Sequence, residues 1–305
     1  MHDHELDIDA SLVRRLLAEQ FPKWADLPLR AVRSSGTDNA LYRLGTELVV
    51  RLPRAPWSGV DDLDDEDREQ RWLKQLAPRL PCAIPVPLAQ GLPADGYPWR
   101  WSVCPWLTGR NPVVGRLAEP DLLARDLAGF ISALHQFDLA GGPTASRGVP
   151  LIERDAKTRA AITELTGMID TDATVAAWEA ALCTPQWIGP PLWLHGDLSP
   201  GNVLVTNGRL SAVIDFGMMG TGDPACDLIV GWNLLSADAR ETFRAALEVD
   251  DATWARGRGW ALSVALIQLP YYRERNPALA ANARHVIAEV VADELRRSAS
   301  ARSRP

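Results

Sequence analysis

The sequence has 305 residues and is 47% hydrophobic, which is enough for two lobes with separate cores. Its formal net charge of −7 argues against a nucleic-acid partner, because neutralising phosphates needs a surplus of Lys and Arg. Four distant cysteines without a CxxC pair argue against a zinc site or a disulfide framework, and they fit a cytoplasmic protein.

The first third of the chain has the pattern of a helix followed by an antiparallel sheet. Residues 10–19 carry leucines at helical spacing. Short alternating or β-branched runs at 29–34, 40–44 and 48–52 then predict three antiparallel strands, because turn residues separate them. Aromatic and apolar residues alternate at 97–103 and predict further strands. We expect the small lobe to end near residue 104.

An acidic run at 61–67 precedes an apolar face formed by Trp72, Leu73 and Leu76. Acidic residues in a first helical turn complement the helix dipole, so the run is interpreted as a solvated helix start rather than a cation site. This helix is expected to carry Glu69.

The remaining two thirds of the chain are mainly helical in pattern. An apolar stripe at 122–134 predicts a long helix, residues 140–149 predict a loop, and 158–182 return to weaker helical patterning. The apolar stretch 260–272 is interrupted by Ser263, Gln268 and Pro270, so we predict a buried helix and not a membrane span.

The informative segment is WLHGDLSPGNVLV at 193–205, followed by AVIDFG at 212–217. Asp197 and Asn202 are five positions apart, and Asp215 begins an Asp-Phe-Gly sequence after a hairpin pattern that turns at Asn207 and Gly208. Isolated Asp and Asn residues usually cap turns. Three such residues in this spacing instead match the needs of phosphoryl transfer, a carboxylate base and oxygen ligands for magnesium.

These motifs resemble those of the aminoglycoside phosphotransferase family, a branch of the protein-kinase-like fold. The matching positions run from His195 to Asn202 and from Ile214 to Gly217. The resemblance implies an α+β, two-lobe fold with an antiparallel β-sheet N-lobe and a mainly helical C-lobe. Residues 1–104 would form the nucleotide-binding lobe, and residues 105–305 would carry the catalytic loop and the acceptor site.

The same resemblance implies roles for individual residues. Asp197 would be the catalytic base, Asn202 and Asp215 would hold Mg²⁺, and His195 and Asp227 would support the loop. The cofactors would be ATP or GTP with magnesium, and the protein would be a monomer or homodimer without nucleic-acid or membrane partners. The acceptor that we expect first is of the aminoglycoside type, and a macrolide, a sugar or a choline-like compound is the alternative.

The nucleotide lobe departs from the kinase pattern in two places, the lysine position and the phosphate loop. Arg51 stands where kinases place a lysine, with Glu69 as its expected partner. The turn after the first strand has one glycine; Gly36 and Thr37 are its candidate phosphate contacts, and a plain hairpin turn is the alternative interpretation. Since Pro105 has no N–H, Cys104 and Trp106 are the candidate hinge contacts to the base. A nucleotide-binding scaffold without turnover therefore remains an alternative.

Overall fold

The computed structural model describes residues 6, 8–32, 39–55, 71–137 and 141–302, with side chains up to residue 297. The chain forms two compact units, residues 1–79 with 83–108, and residues 80–82 with 109–305. The predicted phosphate-contact turn with Gly36 and Thr37, the acidic run and Glu69 lie outside the described residues. No helix in the described ranges is long and apolar enough to cross a bilayer.

The first unit joins one helix to a five-stranded antiparallel sheet. The helix α1 (Ala10–Gln20) begins at Asp9, whose carboxylate accepts a hydrogen bond of 2.7 Å from the Leu12 N–H. The sheet order is β1-β2-β3-β5-β4. Its strands are β1 (Leu29–Val32), β2 (Asn39–Leu44), β3 (Leu48–Pro53), β4 (Ala89–Gly91) and β5 (Trp101–Pro105).

Alternation along the strands places the core of this unit on one face of the sheet. Val50 and Leu52 of β3 are fully buried, whereas Arg51 between them is only half-buried. Successive side chains of a strand point to opposite faces, so Arg51 lies on the face away from this core. The Tyr42 hydroxyl donates a hydrogen bond of 2.7 Å to the Ile8 carbonyl and ties β2 to the chain before α1.

The second unit is mainly helical and contains two short β-ladders. Its helices are α2 (Pro120–His135), α3 (Asp155–Glu164), α4 (Thr171–Leu182), α5 (Val230–Asn233), α6 (Ala237–Leu247), α7 (Asp251–Tyr272) and α8 (Pro277–Arg302). Its strands are β6 (Leu192–Leu194), β7 (Val203–Thr206), β8 (Arg209–Val213) and β9 (Gly220–Gly222). The α7 helix contains Pro270 and is buried along most of its length, as the sequence predicted.

The region 158–182, predicted as one stretch of helical pattern, is two helices. Gly167 lies between α3 and α4 with φ of +81°, a left-handed conformation that an α-helix does not contain. The five-stranded sheet of the first unit and the helical second unit confirm the predicted α+β class.

Candidate active site

A tight turn follows β6 and carries the motif that the sequence singled out. Gly196 has φ of +80°, and a Cβ here would lie 2.5 Å from the Met218 carbonyl oxygen, so only glycine fits. The backbone N–H groups of His195 and Gly196 each donate a hydrogen bond of 2.8 Å to the carboxylate of Asp227. Asp227 is fully buried. It therefore holds the start of the turn in place.

Burial raises the pKa of Asp227 above its ordinary value, while the two N–H donors act in the opposite direction. These donors are the compensation that a buried carboxylate needs. Asp227, which the sequence analysis predicted as a support of the loop, is hydrogen-bonded to the loop backbone.

His195 is buried, and both ring nitrogens are engaged. Nδ1 accepts the backbone N–H of Asp197 at 3.2 Å, and Nε2 lies 3.0 Å from the Ile214 carbonyl oxygen. Because an N–H can only donate and a carbonyl can only accept, the neutral ring carries its proton on Nε2. The ring also packs edge-on against Phe216, with centroids 4.6 Å apart. His195 therefore joins the turn after β6 to the segment after β8.

Asp197 and Asn202 lie in direct contact. The side-chain nitrogen of Asn202 donates to the Asp197 carbonyl at 2.8 Å and to the Asp197 carboxylate at 3.2 Å. The bond to a carbonyl fixes which end of the carboxamide faces Asp197. Oδ1 of Asn202 accepts no hydrogen bond from the described residues.

Asp215 follows β8 and is held next to this pair through its neighbour Ile214. The Ile214 N–H donates to the Asn202 carbonyl at 2.9 Å, and the Ile214 carbonyl is the partner of His195. Asp215 is half-buried and has φ of +65°, a left-handed conformation that is uncommon for a non-glycine residue. This backbone conformation sets the direction in which the Asp215 side chain leaves the main chain.

The oxygen donors of Asn202 and Asp215 fit a magnesium ion. Carboxylate and carboxamide oxygens are hard ligands, and Mg²⁺ commonly takes one or two protein groups and completes its shell with water and phosphate oxygens. Across the described ranges, no group of three or more His, Cys, Asp or Glu side chains has the arrangement of a metal site.

Three polar residues that the sequence analysis did not single out also hold this loop. The Asn111 carboxamide donates to the carbonyls of Gly201 at 2.7 Å and Val203 at 3.0 Å. The buried Asn233 carboxamide donates to the Leu198 carbonyl at 2.8 Å. Neither position has a local sequence signal, because the bonds span 35 residues or more.

Arg147 is the third of these residues, and it contacts Asp197 itself. Its Nη1 forms an ion pair with the Asp197 carboxylate and donates a hydrogen bond of 3.2 Å to the Gly196 carbonyl. The two side chains are 18% and 28% exposed, so solvent and ligands can reach both. Arg147 lies in the region predicted only as a loop. One of the two carboxylate oxygens of Asp197 is thus held by an arginine, and the other by Asn202.

The predicted nucleotide contacts that the structure describes lie on neighbouring strands of the first unit. Arg51 is opposite Ser102, and Val49 is opposite Cys104. The Trp106 N–H donates to the Glu47 carbonyl at 2.7 Å, so it is used within the sheet and is not available to a base. Only its carbonyl could serve as the predicted hinge contact. The Trp106 ring is covered by the Arg43 guanidinium at 4.0 Å.

Comparison with known proteins gives one family and a shared fold. The Phosphotransferase enzyme family matches residues 30–260. No curated protein sequence matches the chain at a significant level. The chain is similar to a GDP complex of wild-type aminoglycoside 2'-phosphotransferase-IIIa, with a TM-score of 0.75 and 19% identity over 94% of this chain and 100% of that one.

Two further solved structures are similar. One is the apoenzyme of macrolide 2'-phosphotransferase MphH from Brachybacterium faecium, with a TM-score of 0.62 and 23% identity over 92% of this chain and 97% of that one. The other is a streptomycin-ATP-APH(2")-IIa ternary complex, with a TM-score of 0.58 and 18% identity over 95% and 97%. At these identities the similarity shows the fold, and the predicted family resemblance is confirmed.

Proposed function

Because the chain belongs to the Phosphotransferase enzyme family, we propose that it transfers the γ-phosphoryl group of ATP or GTP to a hydroxyl group of a small molecule. The observation that carries the proposal is the grouping of Asp197, Asn202 and the segment before Asp215 through short hydrogen bonds. Phosphoryl transfer needs a base and metal ligands in one place, and positioning supplies most of its catalysis.

In this proposal Asp197 is the catalytic base. It accepts the proton of the acceptor hydroxyl while the oxygen forms a bond to the γ-phosphorus. The bond from that phosphorus to the β–γ bridging oxygen breaks, and the nucleoside diphosphate leaves. The bonds from Arg147 and Asn202 keep the carboxylate oriented for this step.

Asn202 and Asp215 would hold Mg²⁺, which neutralises charge on the nucleotide phosphates when it is bound. His195 and Asp227 keep the backbone of the loop in place. Two of the similar structures are a GDP complex and an ATP ternary complex of other proteins, which supports a nucleotide substrate without choosing between the two bases.

The nucleotide side of the proposal rests on residues 1–104. Arg51 would contact phosphate with Glu69 as its partner, Gly36 and Thr37 would cover the phosphates, and Cys104 and the Trp106 carbonyl would meet the base. Residues 105–305 would carry catalysis and acceptor binding. The compact units divide after Thr108, just beyond the end of β5.

An aminoglycoside acceptor, and with it antibiotic resistance, is the finer proposal carried over from the family resemblance. A macrolide, sugar or choline-like acceptor would use the same base and metal ligands. A non-catalytic nucleotide-binding scaffold, suggested by Arg51 in the lysine position, would bind Mg-nucleotide without transfer.

A coupled assay of ADP and GDP release, run against antibiotics and hydroxylated metabolites, tests these alternatives. With an acceptor found there, Asp197→Asn should lower the single-turnover rate by about 10²–10⁴-fold or more, because the base is lost while shape is kept. Nucleotide binding should stay near that of the wild type.

The matched control is Asp126→Asn. Asp126 pairs with Arg209 away from the loop, and its side chain is 18% exposed, so the substitution also breaks an Asp–Arg pair. Thermal melting of both variants shows whether the fold is kept. Transfer by Asp197→Asn at the wild-type rate would remove Asp197 from the chemistry.

A further inference from the structure

Arg154 is a second arginine of the same segment, seven positions after Arg147. It ends the 3₁₀ turn Leu151–Arg154, and its guanidinium is fixed from two sides. Nε donates a hydrogen bond of 2.9 Å to the Ser263 hydroxyl, and the group lies 4.8 Å from the centre of the Trp260 ring. Arg154 is therefore held in one orientation by α7.

The two arginines are near enough to affect each other electrostatically. Burial, and then the positive charge of Arg147, lower the pKa of Arg154 from its ordinary value. Two like charges held close together are unfavourable unless an anion lies near both. Asp197 forms an ion pair with Arg147, and no ion pair joins it to Arg154.

Other arginines of this unit show what Arg154 lacks. Arg240, Arg256 and Arg258 are each almost fully buried, and each pairs with a carboxylate, those of Glu289 at 2.6 Å, Asp223 at 2.7 Å and Glu294 at 2.8 Å respectively. Half-buried Arg154 has no carboxylate within ion-pair distance among the residues that the structure describes. Its guanidinium therefore contacts the Trp260 ring and the Ser263 hydroxyl but no carboxylate of the described residues.

Both guanidinium groups also keep unused donors. Nη1 of Arg147 donates hydrogen bonds to Asp197 and Gly196, whereas its Nε and Nη2 make no hydrogen bond to a described residue. Nε of Arg154 donates a hydrogen bond to Ser263, whereas its Nη1 and Nη2 make no hydrogen bond to a described residue. Four nitrogen atoms in planar forks are therefore available, and such forks match the oxygens of carboxylates and phosphates.

We propose that Arg147 and Arg154 bind a carboxylate or phosphate group of the alcohol that this enzyme phosphorylates. This inference rests on the proposed function. The anionic acceptor would be held by donors that leave the pair of Arg147 with Asp197 intact, since that pair uses a different nitrogen. Its hydroxyl would then be placed at the carboxylate that accepts the proton.

The same charges disfavour a polycationic acceptor. An aminoglycoside would bring ammonium groups toward the two guanidinium groups, and like charges repel each other. The site thus points away from the aminoglycoside class that the family resemblance favoured.

Four six-carbon polyols that differ in charge test the proposal. They are gluconate, with a carboxylate; glucose 6-phosphate, with a phosphate; glucose, which is neutral; and glucosamine, which is cationic. Binding to the full chain is measured by calorimetry in saturating magnesium and ADP or GDP, so that the nucleotide site is filled. We expect at least one anionic member to bind about tenfold or more tightly than glucose and glucosamine. Which anion binds better shows whether the site is built for carboxylate or phosphate.

Substitutions then locate the site. Arg147→Gln and Arg154→Gln should each weaken binding of the anionic ligand by about tenfold to a hundredfold, and Arg154→Gln should leave the affinity for glucose unchanged. Arg154→Lys keeps the charge but loses the planar fork, so its affinity for the anionic ligand should lie between those of Arg154→Gln and the wild type. The matched control is Arg159→Gln, which removes an exposed arginine of α3 that pairs with Asp155 and Glu179. It should bind the anion as the wild type does.

Three results would overturn the inference: binding of glucosamine ahead of both anions, equal or absent binding of all four polyols, or an anion preference that survives both glutamine variants. None of these touches the proposed kinase function, which is measured separately as a thermal shift with Mg-nucleotide and as nucleoside diphosphate release in the acceptor screen. The two ideas can therefore fail independently.

Discussion

Asn202 divides its carboxamide between two roles. The nitrogen holds Asp197, and the oxygen is the proposed magnesium ligand. An aspartate at this position would put two carboxylates in contact and lose the donor. A glutamine would move both atoms by one methylene group. The geometry therefore explains why an asparagine occupies this position.

Asp215 is the second proposed magnesium ligand, and its substitution gives a direct prediction. Asp215→Asn removes the negative charge but tolerates the left-handed backbone at φ of +65°, so the fold should survive. We expect loss of most of the stabilisation that Mg-ATP or Mg-GTP gives in a thermal-shift titration, because a neutral amide binds magnesium weakly. Asp238→Ala, at an exposed position in the first turn of α6, is the control. A full shift in Asp215→Asn at saturating magnesium would contradict the assignment.

The sequence can predict site residues that lie close together along the chain. Asp197 and Asn202 could be found because five positions separate them in one loop, and Asp215 because it ends the next hairpin. Arg147 could not be found in this way. Its contact with Asp197 spans 50 positions and starts in a loop whose path no periodicity specifies. The same reason hides Asn111.

At the level of elements, α7 packs closely through its glycines. A Cβ on Gly257 would lie 2.7 Å from Leu228 Cβ and 3.2 Å from the Ala225 carbonyl oxygen. A Cβ on Gly259 would lie 2.7 Å from Ala181 Cβ. The helix therefore approaches its neighbours at a distance that only glycine permits.

Gly257→Ala should destabilise the protein by about 1–3 kcal/mol in chemical denaturation, because overpacking outweighs the better helix propensity of alanine. Gly129→Ala is the matched control, since Gly129 is also inside a helix but is exposed and a Cβ there meets nothing within 4 Å. It should be neutral or stabilising by about 0.5–1 kcal/mol. Equal effects of the two substitutions would show that packing at Gly257 is not tight.

Local sequence signals were strong enough to predict some secondary-structure elements, whereas other elements have no such signal. The hairpin of β7 and β8 turns at Asn207 and Gly208, both with positive φ, as the Asn-Gly pair predicted. The three-residue strand β9 has glycines at both ends and was not predicted, because it carries no alternating pattern and exists only through pairing with β6. The split between α3 and α4 was also missed, since an isolated Gly167 is tolerated within many helical patterns.

At the scale of the whole molecule, His135 should make stability depend on pH. It is the last residue of α2, its Nε2 is buried without a hydrogen-bond partner in the described part of the chain, and burial lowers its pKa to about 4 from 6.5. Between these values the unfolded chain binds a proton that the folded chain does not. Stability from this group is therefore complete above about pH 6.5 and is lost progressively as pH falls toward 4.

His135→Leu tests this expectation. Between pH 7.5 and pH 5.0 the wild type should lose about 2 kcal/mol more unfolding free energy than the variant, because leucine cannot be protonated. Denaturant titrations of both proteins at the two pH values give the difference. Equal losses would show that His135 can be protonated in the folded state.

Ile214 contributes to the site through its main chain alone. Both of its peptide groups are engaged, the N–H with Asn202 and the carbonyl with His195, whereas its side chain takes no part in these bonds. Replacing the side chain, as in alanine scanning, would leave this junction untouched and would suggest that position 214 has only a packing role. Its contribution can be seen only by changing the main chain, for instance with a backbone ester that deletes the N–H, introduced by semisynthesis or by incorporation of the α-hydroxy acid.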